Sequence, residues 1–365
     1  MPRMTEEQRR VTGGVDTHAD NHVAVVLDEV GRVLGTESFP ADEKGYKALL
    51  VFLRREGEVG KVGVEGTGSY GAGLARYLSA HGIEVIEVIR PNRQVRRRRG
   101  KSDPTDAEAA ARAVLSGEAA GAPKSRDGVA ESLRALRVAR QGAIKARTQA
   151  ANQLRDLVVA APEQLRARLR SLTTEQRVAI AASFRPARTT TPTEGTKAAM
   201  RSIARRYEGL SEEIAGLDTA MASLVKEAAP EGFSDKVGVG TQVAATLLAT
   251  LGDNPERLGS DASFAALCGA SPVDASSGKQ LRHRLNRGGD RQANSALWRI
   301  VHTRIHHDPR TIAYVERRTK EGKTRKEIIR CLKRYVAREI YKALVVPAAR
   351  GAHVTKCEVG RAAAA

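Results

Sequence analysis

The chain runs to 365 residues, 41% of them hydrophobic and only 4% aromatic, and its 61 Lys and Arg outweigh 42 Asp and Glu for a formal charge of +19. That length accommodates two or three domains, with cores that Val, Leu, Ile and Ala must fill. A run of about 18 apolar residues is absent, which excludes a spanning helix, and the charged opening MPRMTEEQRR is expected to carry no secretory signal.

Cys268, Cys331 and Cys357 lie far apart without C-x-x-C spacing, so a reduced, cytosolic chain without a disulfide framework is expected. Zinc is disfavoured, because the cysteines lack ligand spacing and the adjacent His306 and His307 do not make a ligand set by themselves. A balance this basic favours a polyanionic partner, since each neutralised phosphate releases counterions. The charge is also concentrated. Arg90 to Lys101 holds seven basic residues and no acidic one, and Lys279 to Arg350 holds 20 against six. An anionic membrane is the competing partner, but no helix with bulky apolar anchors accompanies these clusters.

In chain order, VTGGVD, HVAVVLD and RVLGTESF read as strands, separated by turn-formers around Glu29 to Gly31. A helix over 43–56, a buried strand at 62–65, a helix over 71–81, a strand at 83–89 and a helix from Pro104 follow. This succession predicts a mixed sheet covered by helices, of ribonuclease-H or RuvC-like type, over residues 8–122. Residues 126–230 have the composition of long helices. Within them Met200, Ile203, Tyr207, Leu210, Ile214, Leu217, Met221 and Leu224 repeat at spacings of 3 and 4, a coiled-coil seam. An amphipathic helix packed on its own domain is the alternative. Residues 184–196 read as the loop of a helical hairpin whose partner helix is 131–160. Residues 231–350 read as a mostly helical, basic domain. It opens on VGVGTQVAATLLATLGD, which resembles the second half of a helix-hairpin-helix, and residues 351–365 read as a disordered tail.

Asp16 and Glu65 each end a predicted strand, and Asp103 and Asp106 are spaced to share a helix face. Carboxylates that converge in this way can hold the divalent ions that phosphodiester cleavage uses. Each has an ordinary alternative: Asp103 before Pro104 is a good N-cap with Asp106 at N3, and strand-end acids are common. Gly66, Gly68 and Gly71 also spell G-x-G-x-x-G with Glu87 downstream, the dinucleotide fingerprint. That short motif would leave the basic clusters without a role, so no dinucleotide cofactor is expected.

GVDTHADNHVAVVLD, VGVEGTGSYG and SDPTDAEAAARAV resemble the N-terminal domain of DEDD insertion-sequence transposases, a family that includes the pilin gene invertase and RNA-guided recombinases. FAALCGASPVDASSGKQLRHRLNRGGDRQANSALWRI resembles the C-terminal domain of the same family. The resemblance implies that Asp16, Glu65, Asp103 and Asp106 are the metal-binding acids, for Mg2+ or Mn2+. It also implies a serine nucleophile at Ser277, with Ser276 beside it, joining DNA through a covalent phosphoserine in a site built from both domains. Without the resemblance, Ser276-Ser277-Gly278 reads as a plain turn.

Implied partners are DNA at the element ends and target, a structured guide RNA from the element, and further copies of the chain in a dimer or tetramer. The implied setting is the bacterial cytoplasm at the nucleoid. Arg96, Arg97, Arg98, Arg99 and Lys101, with Lys279, Arg282, Arg284, Arg287 and Arg291, are the expected backbone contacts. Scarce aromatics argue against a stacking-based single-strand binder. A RuvC-like nuclease or junction resolvase, and a non-catalytic nucleic-acid-binding protein, are the alternative functions.

Overall fold

The computed structural model describes residues 9–88, 102–278 and 283–362, the last stretch by its backbone alone beyond residue 345. The chain divides into two compact units, Met1–Asp127 with Gly252–Gly259, and Gly128–Leu251 with Ser260–Ala365. The middle helical region and the C-terminal region distinguished in the sequence thus fall within one unit.

The first unit is built on a five-stranded sheet in the order β3-β2-β1-β4-β5. Its strands are β1 (Arg10–Thr17), β2 (Asn21–Leu27), β3 (Val33–Pro40), β4 (Glu58–Glu65) and β5 (Glu84–Val88). β1 pairs antiparallel with β2 and parallel with β4, and β5 extends the parallel side. This is the mixed, ribonuclease-H-like sheet that the alternation of strand and helix signals predicts.

Side chains alternate between the faces of a strand, and here the two faces are packed differently. Val15, Ala24, Val26, Val62 and Val64 form one core with Leu49, Phe52 and Leu53 of α1 (Glu43–Arg55) and Leu74 and Leu78 of α2 (Ala72–Ala80). The opposite face carries Val25 and Leu27 against Ala107 and Ala111, and Ile86 and Val88 against Ala110 and Val114, all from α3 (Asp103–Leu115). Helix α3 approaches β1 and β4 so closely that only glycine fits beneath it. A Cβ at Gly14 would lie 2.3 Å from the Ala107 carbonyl oxygen and the Ala111 nitrogen, and one at Gly63 would lie 2.8 Å from the Ala110 carbonyl.

Residues 252–259 return to this unit through Asn254. Its side chain accepts from the Ser125 amide at 3.1 Å and donates to the Pro123 carbonyl at 2.9 Å.

The second unit is helical. α4 (Val129–Ala160) and α7 (Pro192–Ala228) form an antiparallel hairpin, shown by Arg140 against Asp218, Arg147 over Tyr207 and Arg206 against Gln153. The connection differs from expectation. It holds two short helices, α5 (Glu163–Leu169) and α6 (Thr174–Ala182), and α7 already begins at Pro192. Thr191 caps that start by accepting from the Glu194 amide, with Pro192 at N1, so residues 192–196 are helix rather than loop.

The heptad row is used asymmetrically. Met200, Ile214 and Met221 are buried together with Ala204 and Val225, whereas Ile203, Leu210, Leu217 and Leu224 are only half-buried.

Beyond the hairpin, α8 (Thr241–Leu251) is buried from Val243 onward and packs against α4, α7 and α10 (Arg291–His307). α9 (Asp261–Leu267), α11 (Pro309–Lys320) and α12 (Arg325–Ala362) complete the unit. The backbone of α12 thus continues through most of the segment read as a disordered tail. A two-stranded ribbon, β6 (Val273–Asp274) with β7 (His283–Arg284), is set among these helices and was not foreseen. No helix of the described residues is long and apolar enough to cross a membrane.

The glycine contact yields a direct test. Gly14→Ala should force α3 off the sheet and cost about 3 kcal/mol or more in urea unfolding, because backbone rather than a movable side chain opposes the methyl group. Gly60→Ala, where the nearest atom lies at 3.8 Å, should change the midpoint little.

Candidate functional site

Asp16 follows Gly14 by two residues and Glu65 follows Gly63 by two, so both carboxylates belong to the α3 face at the carboxyl ends of adjacent parallel strands. The Thr17 hydroxyl donates to the Glu65 carbonyl at 2.8 Å and ties the two strand ends together. Helix α3 starts directly over them. Its N-cap is Ser102, in extended backbone, and Asp103 is the first helical residue. This corrects the capping alternative: the Asp103 carboxylate is one position inside the helix and reaches elsewhere.

It reaches His18. The imidazole Nε2 lies 3.1 Å from Asp16 Oδ2 and 3.3 Å from Asp103 Oδ1. One ligand atom from each of the three residues falls within 4.8 Å of the others. Asp16 is 7% exposed and Asp106 2%, while Asp103 and His18 face solvent more openly. Burial pushes the Asp16 carboxyl above its ordinary range, and the charges of Asp106 and Asp103 push it further, against the opposing pull of His18. Desolvated carboxylates crowded in this way attract a cation. Oxygen donors with one imidazole suit a hard divalent ion such as Mg2+ or Mn2+, so the residues present fit such an ion.

Of the four predicted acids, Asp16 and Asp103 converge on one point and Asp106 acts electrostatically on Asp16. Glu65 stands at the neighbouring strand end, outside the three-residue group. His18 was missed. Its signal was the D-x-H spacing of Asp16 and His18, which places both on one face of extended chain.

The G-x-G-x-x-G segment folds into a self-closed turn. Gly66 adopts φ +71°, and its carbonyl accepts from the amides of Ser69 at 2.8 Å and Gly71 at 3.1 Å. Glu87, which a dinucleotide would need for its ribose, accepts instead from the Thr67 hydroxyl at 2.6 Å. At the helix-hairpin-helix-like segment, Gly238 adopts φ +85° and a Cβ there would lie 2.9 Å from Ile300 Cα, so close packing accounts for that glycine.

In the second unit, Ser276, Ser277 and Gly278 follow β6 and are exposed. The Ser276 amide donates to Asp274 Oδ1 at 2.8 Å. The Ser276 hydroxyl also bonds the Asp274 carboxylate and holds it below the usual carboxylate range. Ser276 is therefore occupied in forming the turn, and Ser277 stands next to it.

Among the predicted backbone contacts, Arg284, Arg287 and Arg291 are exposed, on β7, after it and at the start of α10. Arg96, Arg97, Arg98, Arg99, Lys101, Lys279 and Arg282 lie outside the described residues.

Comparison with known families places these two regions together. Residues 13–161 match the model of the DEDD domain of IS110-type elements, described as a transposase. Residues 233–316 match the model described as transposase IS116/IS110/IS902 family. No curated protein matches the chain.

The crowding of charge around Asp16 predicts a stability signature. An acid with a raised pKa contributes stability that is present at low pH and lost as pH rises through that pKa. At pH 7.5 in EDTA, Asp16→Asn should therefore melt about 2–4 °C above the unmodified protein while losing all strand cleavage. A lower melting temperature would show that Asp16 is not held at a cost.

Proposed function

Because this chain is a member of the IS110 family of insertion-sequence transposases, we propose that it cuts and rejoins DNA through a covalent serine–DNA intermediate. In this reading Asp16, Glu65, Asp103 and Asp106 are the metal-binding acids and Ser277 is the nucleophile. Membership makes the protein an enzyme of DNA phosphoryl transfer. The observation that carries the finer reading is the convergence of Asp16 and Asp103 on His18, at the strand ends of a ribonuclease-H-like sheet.

A divalent ion, when bound, neutralises charge on the reacting phosphodiester. Asp16, buried at the end of β1, would hold it together with Asp103, Glu65 and Asp106, and His18 stands where it could join them. The more exposed positions of Asp103 and His18 leave room for a phosphate oxygen to approach.

The joining step balances without an energy source. The Ser277 oxygen forms a bond to phosphorus as the bond from phosphorus to the strand's bridging oxygen breaks. The serine gives up its proton and the released strand end takes one up as a hydroxyl. A hydroxyl of another strand can then reverse the exchange. The Asp274 turn supports Ser277 over Ser276, because it already engages the Ser276 hydroxyl.

Guidance by an element-encoded structured RNA accords with the two basic stretches, which suit backbone contacts more than base reading. Homo-oligomer formation would use the half-covered row Ile203, Leu210, Leu217 and Leu224 of α7.

Two experiments test the reading. A reaction stalled on a nicked or mismatched substrate should give protein covalently attached to DNA, seen as a shifted band in denaturing gels. Mass spectrometry should place the adduct on Ser277, and Ser277→Ala should lose adduct and joining while still binding DNA. Cleavage that survives in a Ser276/Ser277 double alanine variant would make the protein a nuclease that uses water.

The second experiment is filter binding to RNA transcribed from the element's flank. Affinity should fall steeply with salt, by about tenfold or more over a fourfold rise, and recombination should require that RNA. Equal recombination by an RNA-free preparation would reject guidance.

A further inference from the structure

A cavity of about 640 Å3 opens in the second unit between the β6–β7 ribbon and the start of α12. Its volume lies within the range of small-molecule pockets. The lining is heavily cationic: Arg284 of β7, Arg318 of α11, Lys323 of the loop that follows, and Arg330, Lys333 and Arg334 of α12. One carboxylate, Glu327, lines it too, accepting from the Thr324 amide at 2.9 Å and hydroxyl at 2.7 Å; these bonds, with the nearby charges of Lys323 and Arg330, hold it below the usual carboxylate range.

One of these cations is poorly satisfied within the protein. Lys333 is only 6% exposed, and among the described residues its ammonium donates just one hydrogen bond, to Asn294 Oδ1 at 2.9 Å. An ammonium has three donors. Asn294 cannot supply a countercharge, since it is a neutral amide whose nitrogen is spent on the Cys268 and Gly269 carbonyls. Arg318 and Arg334 pair with acids at one edge, Glu321 and Asp261, and the Arg318 guanidinium also lies over the Tyr314 ring at 5.9 Å. Lys333 and Arg330 bring two cations together at the cavity wall. An anion with several acceptor oxygens would satisfy them together.

The cavity also has an aromatic side. Tyr335 is 52% exposed although it lines the pocket, and Tyr314 braces its ring edge-on at 5.8 Å. Leu285, 48% exposed, contributes apolar surface from the chain just after β7. A phosphate-binding group beside an open, braced ring matches one phosphate and one base. A base inside a duplex has both faces covered by its neighbours, and the cavity is too small for a base pair, so the base must be unstacked and unpaired. His283 and Arg284 line the cavity from the strand that pairs with Val273 and Asp274, the strand that leads to Ser276 and Ser277.

We propose that this cavity holds a single unpaired nucleotide of a DNA or RNA strand, its phosphate against Lys333 and Arg330 and its base on Tyr335. The occupant's position next to the reacting phosphodiester rests on the serine reading above. The existence of the pocket for a nucleotide does not.

The test is equilibrium binding by the full chain in EDTA, where no cleavage occurs. The probes are a fluorescein-labelled duplex with an unpaired overhang, made in DNA and in RNA, and the same duplexes with blunt ends. In at least one chemistry the overhang should bind about fivefold or more tightly than the blunt form, as expected when a base stacks on an aromatic ring. Tyr335→Ala should abolish that preference and Tyr335→Phe should keep it. Arg284→Gln, an exposed position, should weaken both forms. Lys333→Met should weaken the overhang most, with a melting curve confirming that the variant is folded.

A preference in the DNA arm identifies an element or target strand as the occupant, and a preference in the RNA arm identifies the guide. Equal binding of overhang and blunt forms in both chemistries, or an undiminished preference in Tyr335→Ala, would overturn the proposal. Loss of joining in Ser277→Ala with overhang binding intact would bear on the serine reading alone.

Discussion

Helix α3 lies on bare backbone. Gly14 and Gly63 leave no side chain between it and strands β1 and β4, and Ala107, Ala110 and Ala111 fill the remaining space from above. The contact sets the height of the helix above the sheet, and through it the position of everything at the helix start. Two residues along each strand from the glycines stand Asp16 and Glu65, on the same face. One turn before Ala107 stands Asp103. A bulkier pair beneath the helix would lift these groups apart, so the packing of an apolar layer determines the spacing of a charged one.

The arrangement carries an electrostatic cost that the fold does not relieve by itself. Three aspartates and one imidazole are drawn together, and the most buried acids are the ones least able to reach water. Natural sequences violate local preference at functional sites and compensate elsewhere. Here the compensation is the apolar core on both faces of the sheet, which holds the strand ends whatever their charge. The second unit shows the opposite sign, with cations collected around a cavity.

Much of the first unit was legible because its signals are periodic. Alternating Val and Gly in VTGGVD and VGVE encode strands with one tight face, and the alanines of DAEAAARA encode the helix that fits it. The acids at the ends of those segments followed from the same pattern. Asp103 was harder, because a helix start before proline can place either of two adjacent residues at the N-cap, and here Ser102 occupies that position without a side-chain capping bond.

His18 lies just past the end of β1, and its two-residue spacing from Asp16 is a single short signal with no repeating pattern around it. The return of residues 252–259 to the first unit depends on Asn254 reaching Pro123 and Ser125, a contact across more than 120 positions that no local pattern encodes. The heptads of α7 were visible, but not that an antiparallel partner would cover one side of them. Periodicity reports an apolar stripe, while its occupant depends on which helix lies nearest.

The ribbon that flanks Ser277 shows why short elements matter out of proportion to their length. Two residues in each strand supply too few hydrogen bonds to be stable alone, so the ribbon must borrow its order from what surrounds it. Asn286 donates to the Ser271 hydroxyl at 2.9 Å and so clamps the base of the ribbon, and Asp274 shapes the turn that follows. His283 and Arg284, the second strand, are at once part of the ribbon and part of the cationic cavity wall. A ligand that engages that wall would therefore act on the ribbon itself, fixing the strand that pairs with Val273 and Asp274 and hence the direction in which the serine turn emerges. Binding energy would in that case be spent on orienting a nucleophile rather than on holding substrate alone, which is how positioning contributes to rate. A serine on a self-sufficient strand would gain nothing from such a ligand. Placed on a ribbon this short, the serine of the proposed reaction would take its orientation from a nucleotide bound in the cavity.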